Sequence, residues 1–362
     1  MSKNNSFDFA KEIFKLNEYA SIVENGIVAG DYEGFIDSGS YAINALLSGS
    51  IYGGYANNKI TALAGPSGVG KSFFALTAVK LFLDKDPRAV VFMFESESAL
   101  TKNMMLEFGI DIKRVLIMPI ETVQQFRHQA LVILNNYSAI PAQERTPILM
   151  VLDSLGQLST VKEIEDIQDG KDTRDMTRAQ LVKAAFRVLT LKMGKFKVPL
   201  LFTNHTYGTM EMFSKQVQSG GSGPVYSAST VMMLTKSKEK SGTDITGAVV
   251  KCRLDKGRLT RENSKAETVI RYQDGLSRWH GMVEFAIEAG IWKKAGTRIE
   301  LGPEQDGAKV YSKNIYENPE KFFTEDIMKA IDEYVGKKFK YGSAFPVPDV
   351  EETEEREISE DE

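Results

Sequence analysis

At 362 residues, 42% hydrophobic and 26% charged, the chain has ordinary globular composition and the length for two domains. One cysteine, Cys252, excludes an intrachain disulfide framework and a cysteine zinc site, and no run approaches the roughly 18 apolar residues of a membrane span. The charge is unevenly held: one of the 45 basic and nine of the 49 acidic residues fall in 349–362, so that tail carries −8 and the body +4.

A basic body with an acidic tail suits a polyanionic partner that the tail imitates. A solubilising, unstructured end accounts for the same charges. The N-terminus MSKNNSFDF lacks the apolar stretch of a leader peptide. Cys252, inside the alternation Val249-Val250-Lys251-Cys252, reads as a small buried residue. These features predict a soluble protein of a reducing cytoplasm.

Residues 7–24 carry Phe7, Ile13, Phe14, Leu16, Tyr19 and Val23 and predict a short helix ahead of the main domain. Gly26, Gly30, Gly34 and Gly39 then punctuate a flexible stretch. From 58 to 205, short apolar runs alternate with helical patterns. Runs 59–64, 89–94, 115–118, 148–152 and 198–203 are too short for helices and are rich in Val, Ile, Leu and Phe. In 176–193, Leu181, Val182, Ala185, Val188 and Leu189 keep helical spacing. Strands alternating with helices predict βαβ units around a mostly parallel, buried sheet. Strand-like runs 231–234, 248–254 and 267–272 predict an antiparallel extension of it, and 281–341 a small α+β module with helices near 281–289 and 324–335.

The strongest motif is Gly65-Pro66-Ser67-Gly68-Val69-Gly70-Lys71-Ser72, which fits G-x-x-x-x-G-K-[ST]. It follows a strand and opens a helix at Phe73, the context a phosphate loop requires. Its glycines turn backbone N–H groups inward as an anion nest, and the helix N-terminus adds partial positive charge. Lys71 is placed to reach the outer phosphates and Ser72 to ligate Mg²⁺. The apolar run 148–152 ends in Asp153, the carboxylate that holds Mg²⁺ in such sites. Val90-Val91-Phe92-Met93-Phe94 ends in Glu95-Ser96-Glu97. If the strand continues, the two carboxylates share a face and one is raised toward the value of a base. The residues alone do not choose between them. His205 follows the run 198–204, where a polar residue faces the outer phosphate and can report it to the next loop.

In this order and spacing, the pieces resemble the RecA-type strand-exchange recombinases, nearest their UvsX-like phage branch. The resemblance rests on AGPSGVGKS (64–72), ESESAL (95–100), VLDSLGQLST (151–160), DMTRAQLVKAAFRVLT (175–190), FTNHTYGTMEMFSK (202–215) and GGSGPVYSAST (220–230). The phosphate loop is generic; the NHTY and GGSGP segments are specific. The resemblance implies a RecA-like P-loop core over 35–275, a docking segment over 1–34, a small C-terminal domain over 276–345 and an acidic disordered tail over 346–362.

It also implies residue roles. Glu97 takes the water-activating position, and Glu95 stands where the family usually has Asp. His205 takes the sensor position. Met104 falls where many relatives place a Tyr beside adenine. Lys256 and Arg258, in LDKGRLTR, match cations that reach a neighbouring subunit's nucleotide. Two loops, 160–175 and 206–222, become DNA-binding candidates. Arg178, Arg187 and Lys215 are their cations, Gly220 and Gly221 phosphate-binding amides, and Met210, Met212 and Phe213 wedges between bases.

The expected activity is DNA-dependent ATP hydrolysis with Mg²⁺, in a helical homo-oligomeric filament that exchanges strands between single-stranded and duplex DNA. Family likeness adds a recombination mediator, a single-strand-binding protein and a helicase as partners. Two alternatives stay open: a RecA-fold hexameric helicase motor, and a P-loop assembly protein that does not use DNA. Deleting 1–24 is expected to abolish filaments. Truncation at Pro348 is expected to speed DNA loading.

Overall fold

The computed structural model describes residue 9 and residues 11–342, apart from 18, 33, 172–175, 209–215, 219–225 and 242–243. A mixed sheet of ten strands forms its centre. Before it come α1 (Lys11–Leu16), β1 (Phe35–Ile36), α2 (Tyr41–Ser48) and β2 (Tyr55–Ala56), the two strands pairing as a ribbon. The sheet is built from β3 (Ile60–Gly65), β4 (Val90–Glu95), β5 (Val115–Pro119), β6 (Ile148–Asp153), β7 (Leu200–Gly208), β8 (Gln216–Gln218), β9 (Thr230–Ser241), β10 (Asp244–Gly257), β11 (Lys265–Arg271) and β12 (Gly275–Leu276). Between the strands run α3 (Lys71–Lys85), α4 (Lys102–Glu107), α5 (Val123–Ala139), α6 (Val161–Gln168) and α7 (Arg178–Phe196).

The order across the sheet is β12-β11-β10-β9-β3-β7-β6-β4-β5, with β8 against β7. The six strands from β9 to β5 run parallel. The expected antiparallel extension is therefore shifted by one strand, to β10, β11 and β12. Strand β9 joins β3 in parallel, and the antiparallel ladder starts at β10. The reason is the connection after β7, which brings the chain back to the amino ends of the strands before Thr230.

Period-two alternation distributes the core to both faces. Leu63, Val91, Met93, Leu149, Val151, Leu201, Met232 and Leu234 face α2, α3 and the C-terminal elements. Ala62, Phe94, Met150, Leu152, Phe202 and Val231 face α5 and α7. On that second side Phe94, Phe126, Phe186 and Phe202 form a chain of rings with centroids 5.0, 6.0 and 5.0 Å apart. Each such ring contributes roughly 1.5–3 kcal/mol by burial. Cys252 is buried in the first cluster, as expected, and burial pushes its thiol up.

The C-terminal part holds α8 (Met282–Glu288), a three-stranded antiparallel sheet of β13 (Lys293–Ala295), β14 (Arg298–Glu300) and β15 (Lys309–Val310), and α9 (Ser312–Glu317), α10 (Pro319–Phe322) and α11 (Glu325–Phe339). Trp292, Phe323 and Phe339 continue the first core cluster into it. Asp332 accepts from Ser50 Oγ and the Ile51 N–H, both at 2.8 Å, which ties α11 to the turn after α2.

Candidate functional site

The site lies where β3, β4, β6 and β7 end. Every residue of β3 and β6 is buried, so their side chains are fixed before the chain turns out of the sheet. Strand β3 runs straight into Gly65–Ser72. Gly68 and Gly70 have φ of +69° and +105°, which only glycine adopts without strain and which turn the loop tightly. Helix α3 begins at Lys71 with Gly70 as its cap, so its first amides open onto the loop.

Lys71 is 6% exposed, and its Nζ donates to the carbonyls of Gly65 and Pro66, both at 2.9 Å. Burial pulls its ammonium below the ordinary lysine value, while Glu97 and Asp153 act the other way. Thr203 Oγ1 donates to Asp153 from the neighbouring strand, and the nearby Ser72 hydroxyl also favours its charged form. Burial nevertheless raises the Asp153 carboxyl above its usual range, and nearby Glu97 adds to that. A cation beside Asp153 would offset both effects. Hydroxyl and carboxylate oxygens suit a hard ion such as Mg²⁺, which keeps several waters and takes few protein ligands. The donor set fits that ion.

Glu97 does not sit on a continued strand. Strand β4 stops at Glu95, whose Oε1 accepts the N–H groups of Glu97 and Ala99, each at 3.0 Å. That buried carboxylate builds the turn and swings Glu97 towards β6 and β7. Glu97 Oε1 then accepts from Ser154 Oγ at 2.5 Å and lies 2.9 Å from His205 Nε2. Burial draws its carboxyl up, but these two hydrogen bonds and the charges of His205 and Lys71 outweigh burial and hold it below the ordinary value. Glu97 is thus lowered, not raised as a base, and the raised carboxyl beside it is Asp153.

His205 lies level with Gly65 across the β3–β7 pair. Its Nδ1 is 3.4 Å from Lys71 Nζ. Lys71 Nζ thus faces one ring nitrogen and the Glu97 carboxylate the other. The imidazole therefore bridges the phosphate loop and Glu97.

Beside the loop opens a cleft of about 660 Å³. Met104 lines it, as do Phe73 and Phe108, whose rings are 4.8 Å apart. Opposite them stands the turn from Tyr272 to Gly275, with Tyr272 74% exposed. Sequence reasoning missed Tyr272. An aromatic residue at a strand end some 200 residues from the phosphate loop has no periodic signature, and only folding brings it to the loop.

Lys256 and Arg258 are at the other end of the sheet. Lys256 pairs with Val231, which pairs with Ala62; Gly257 pairs with Thr230, which pairs with Thr61. Four residues of strand, about 13 Å, separate Thr61 from Gly65. Arg258 shares a cleft of about 400 Å³ with Lys59 and Arg187. Burial lowers both Lys59 and Lys256, and Arg258 presses both further down, with Lys197 also acting on Lys59. The cluster concentrates positive charge at this end of the sheet.

Arg178 has other work than the sequence suggested. Its Nε donates to Leu158 O at 2.9 Å and its Nη2 faces the carbonyls of Leu155 and Gly156, stapling the start of α7 to the chain after β6. The candidate loop 160–175 is also not an open loop throughout. Thr160 and Glu163 form a reciprocal capping box that starts α6, a T-x-x-E signal present in the sequence. Arg187 is exposed on α7. Met210, Met212, Phe213, Lys215, Gly220 and Gly221 lie outside the described residues.

A family model described as the RecA N-terminal domain matches residues 11–277, which include every described residue of this site. The chain belongs to the RecA family. The "Recombination and repair protein" of Enterobacteria phage T4 is 36% identical over 249 residues, covering 69% of this chain and 62% of that protein. The match thus spans under two thirds of the phage relative. "Protein RecA" of Bacteroides thetaiotaomicron is 26% identical over 326 residues, 88% of this chain and 93% of its own length. That of Latilactobacillus sakei is 27% identical over 354 residues, 96% and 94% of the two chains. No described helix is long and apolar enough to cross a membrane. Among the described residues no group of His, Cys, Asp and Glu forms a metal cluster, so a metal here would rest on Ser72, Asp153 and its phosphate.

Proposed function

We propose that the chain is an ATP-dependent strand-exchange recombinase that forms helical filaments on single-stranded DNA. The observation that carries this reading is the division of the site between the two ends of the sheet. The phosphate loop, Asp153, Glu97 and His205 occupy one end, and Lys256 and Arg258 the other. A head-to-tail neighbour would bring its cationic end to this chain's phosphates, closing each site between two subunits.

Within one subunit the chemistry divides cleanly. The loop amides and Lys71 hold the phosphates. Ser72 and Asp153 would hold Mg²⁺, which when bound neutralises charge on the phosphate oxygens. Glu97, kept ionised by Ser154 and His205, orients the attacking water and takes its proton. The base rests in the cleft between Met104 and Tyr272. His205, touching both Glu97 and Lys71, passes the state of the outer phosphate to the segment after β7.

The N-terminal arm supports assembly. Helix α1 buries nothing, and Phe9, Leu16 and Val23 are 89%, 82% and 72% exposed. Strand β5 ends the sheet with Leu116 and Ile117 facing solvent, an edge open to a neighbour's segment. Arg187 and the loop 206–222 contact DNA through its backbone, because base pairing supplies sequence recognition. Residues 276–345 act as a small second domain, and the tail competes with DNA for the basic body. A loading mediator, a single-strand-binding protein and a helicase are its expected partners in a cytoplasm. The ring-helicase alternative finds no support among the relatives.

Electron microscopy with long single-stranded DNA and a slowly hydrolysed ATP analogue tests the reading. Continuous helical filaments are expected. Closed rings, or no assembly, would overturn it.

A further inference from the structure

Strand β9 runs beside β3 and continues past the point where β3 becomes the phosphate loop. Ala64 pairs with Met233, and the Leu234 carbonyl lies 2.6 Å from where a Cβ on Gly65 would be. Strand and loop therefore touch, and only glycine at 65 permits it. Met232 and Leu234 are fully buried on the α3 side. The next residue on that face, Lys236, emerges beyond the core. Its stem follows the buried leucine, and its Nζ donates to the Gly68 carbonyl at the crown of the loop. A Cβ on Gly68 would lie 3.6 Å from the same Nζ. Among the described residues Lys236 has no carboxylate partner.

The Gly68 carbonyl shares its peptide with the Val69 N–H. In a trans peptide these two groups point in opposite directions. An ammonium on the oxygen polarises the peptide and strengthens the N–H on the far side, as charge-assisted bonds do in series. The base cleft begins at Phe73 and its lining does not include Gly68, so the crown lies toward the phosphates rather than the base.

We infer that Lys236 is a positioning residue for the terminal phosphate. It fixes the loop's crown and charges one of its donors from behind, which favours a nucleoside triphosphate over a diphosphate. The inference rests on the proposed ATP site.

The test is equilibrium binding of a slowly hydrolysed ATP analogue and of ADP, each with Mg²⁺ and without DNA. Unsubstituted protein, Lys236→Met and Lys236→Arg are compared, with thermal melting to verify folding. Lys236→Met is expected to lose about tenfold in affinity for the triphosphate, the size of one charge-assisted bond, with ADP affinity unchanged. Lys236→Arg should restore most of the loss. Equal losses for both nucleotides, or none for either, would overturn the inference while leaving the ATP site standing. Failure of the unsubstituted protein to bind either nucleotide would overturn the ATP reading as well.

Discussion

At the carboxyl ends of β3, β4, β6 and β7, charged and polar side chains interlock: Lys71 with His205, His205 with Glu97, Glu97 with Ser154, Asp153 with Thr203. At the amino end, cations rest on backbone carbonyls. Lys59 donates to Ala29 and Gly30, Lys197 to Asp31 at 2.6 Å, and Lys256 to Tyr226 at 2.8 Å. One end is wired internally and holds its own acids. The other gathers lysines and arginines whose burial and mutual repulsion favour an incoming anion. On the proposed reading the contrast is that of two half-sites, one for the chain's own nucleotide and one for a neighbour's.

Substitutions can break each half separately. Lys71→Ala has the largest effect: ATP affinity falls by roughly 10²-fold or more, as expected for truncating a buried charge that faces phosphate, and nucleotide-dependent DNA binding goes with it. Tight, nucleotide-independent DNA binding by this variant would contradict the account. Arg258→Ala should lower turnover roughly 10³-fold, the scale of a cation supplied in trans. Its subunits, measured without DNA, should bind ATP as before, so kcat falls with little change in KM.

A smaller effect is expected where the arm leaves the body. A Cβ on Gly194 would lie 2.6 Å from the Ala29 carbonyl. The turn around Ala29 is also gripped by Lys59 and Asn58. Gly194→Val should dislodge that turn and raise the protein concentration needed for filaments roughly tenfold, the cost of a modest overpacking clash. Sedimentation with DNA checks it, with nucleotide binding as the unaffected control.

The smallest effect concerns pH. Glu97 is held below its ordinary value, so the stability and activity it lends are full above about pH 4.5 and fade as pH falls through its lower, folded value. Removing a donor with Ser154→Ala should raise that value. The acid limb of the turnover profile would then move to higher pH, with little change near neutrality. An acid limb that stays in place would separate Glu97 from the chemistry.

Much of this could be read from the chain because the informative residues are contiguous. The phosphate loop, the strand before it and the helix after it form one continuous run, and Asp153 ends an unmistakable buried strand. Glu97 was legible only through resemblance: a bend made by Glu95, rather than strand alternation, decides where it points. Tyr272 and Lys236 reach the loop from distant strands, and register across the sheet is not written in either segment. Arg178 shows the opposite failure. A basic residue opening a helix looks the same whether it binds phosphate or staples neighbouring carbonyls. The capping box at Thr160 and Glu163 was visible in the sequence, but the polar character of 160–175 outweighed it.

The central claim is that each site is shared between subunits, and mixing two inactive variants tests it most directly. Glu97→Gln keeps its cations and loses the group that orients water. Arg258→Ala keeps Glu97 and loses the cation for its neighbour. Mixed equally on single-stranded DNA, they form some interfaces with Glu97 from one subunit and Arg258 from the other. Random assembly predicts recovery of about a quarter of the unsubstituted ATPase rate. A mixture no more active than its parents would place both groups in a single subunit's site and contradict the account.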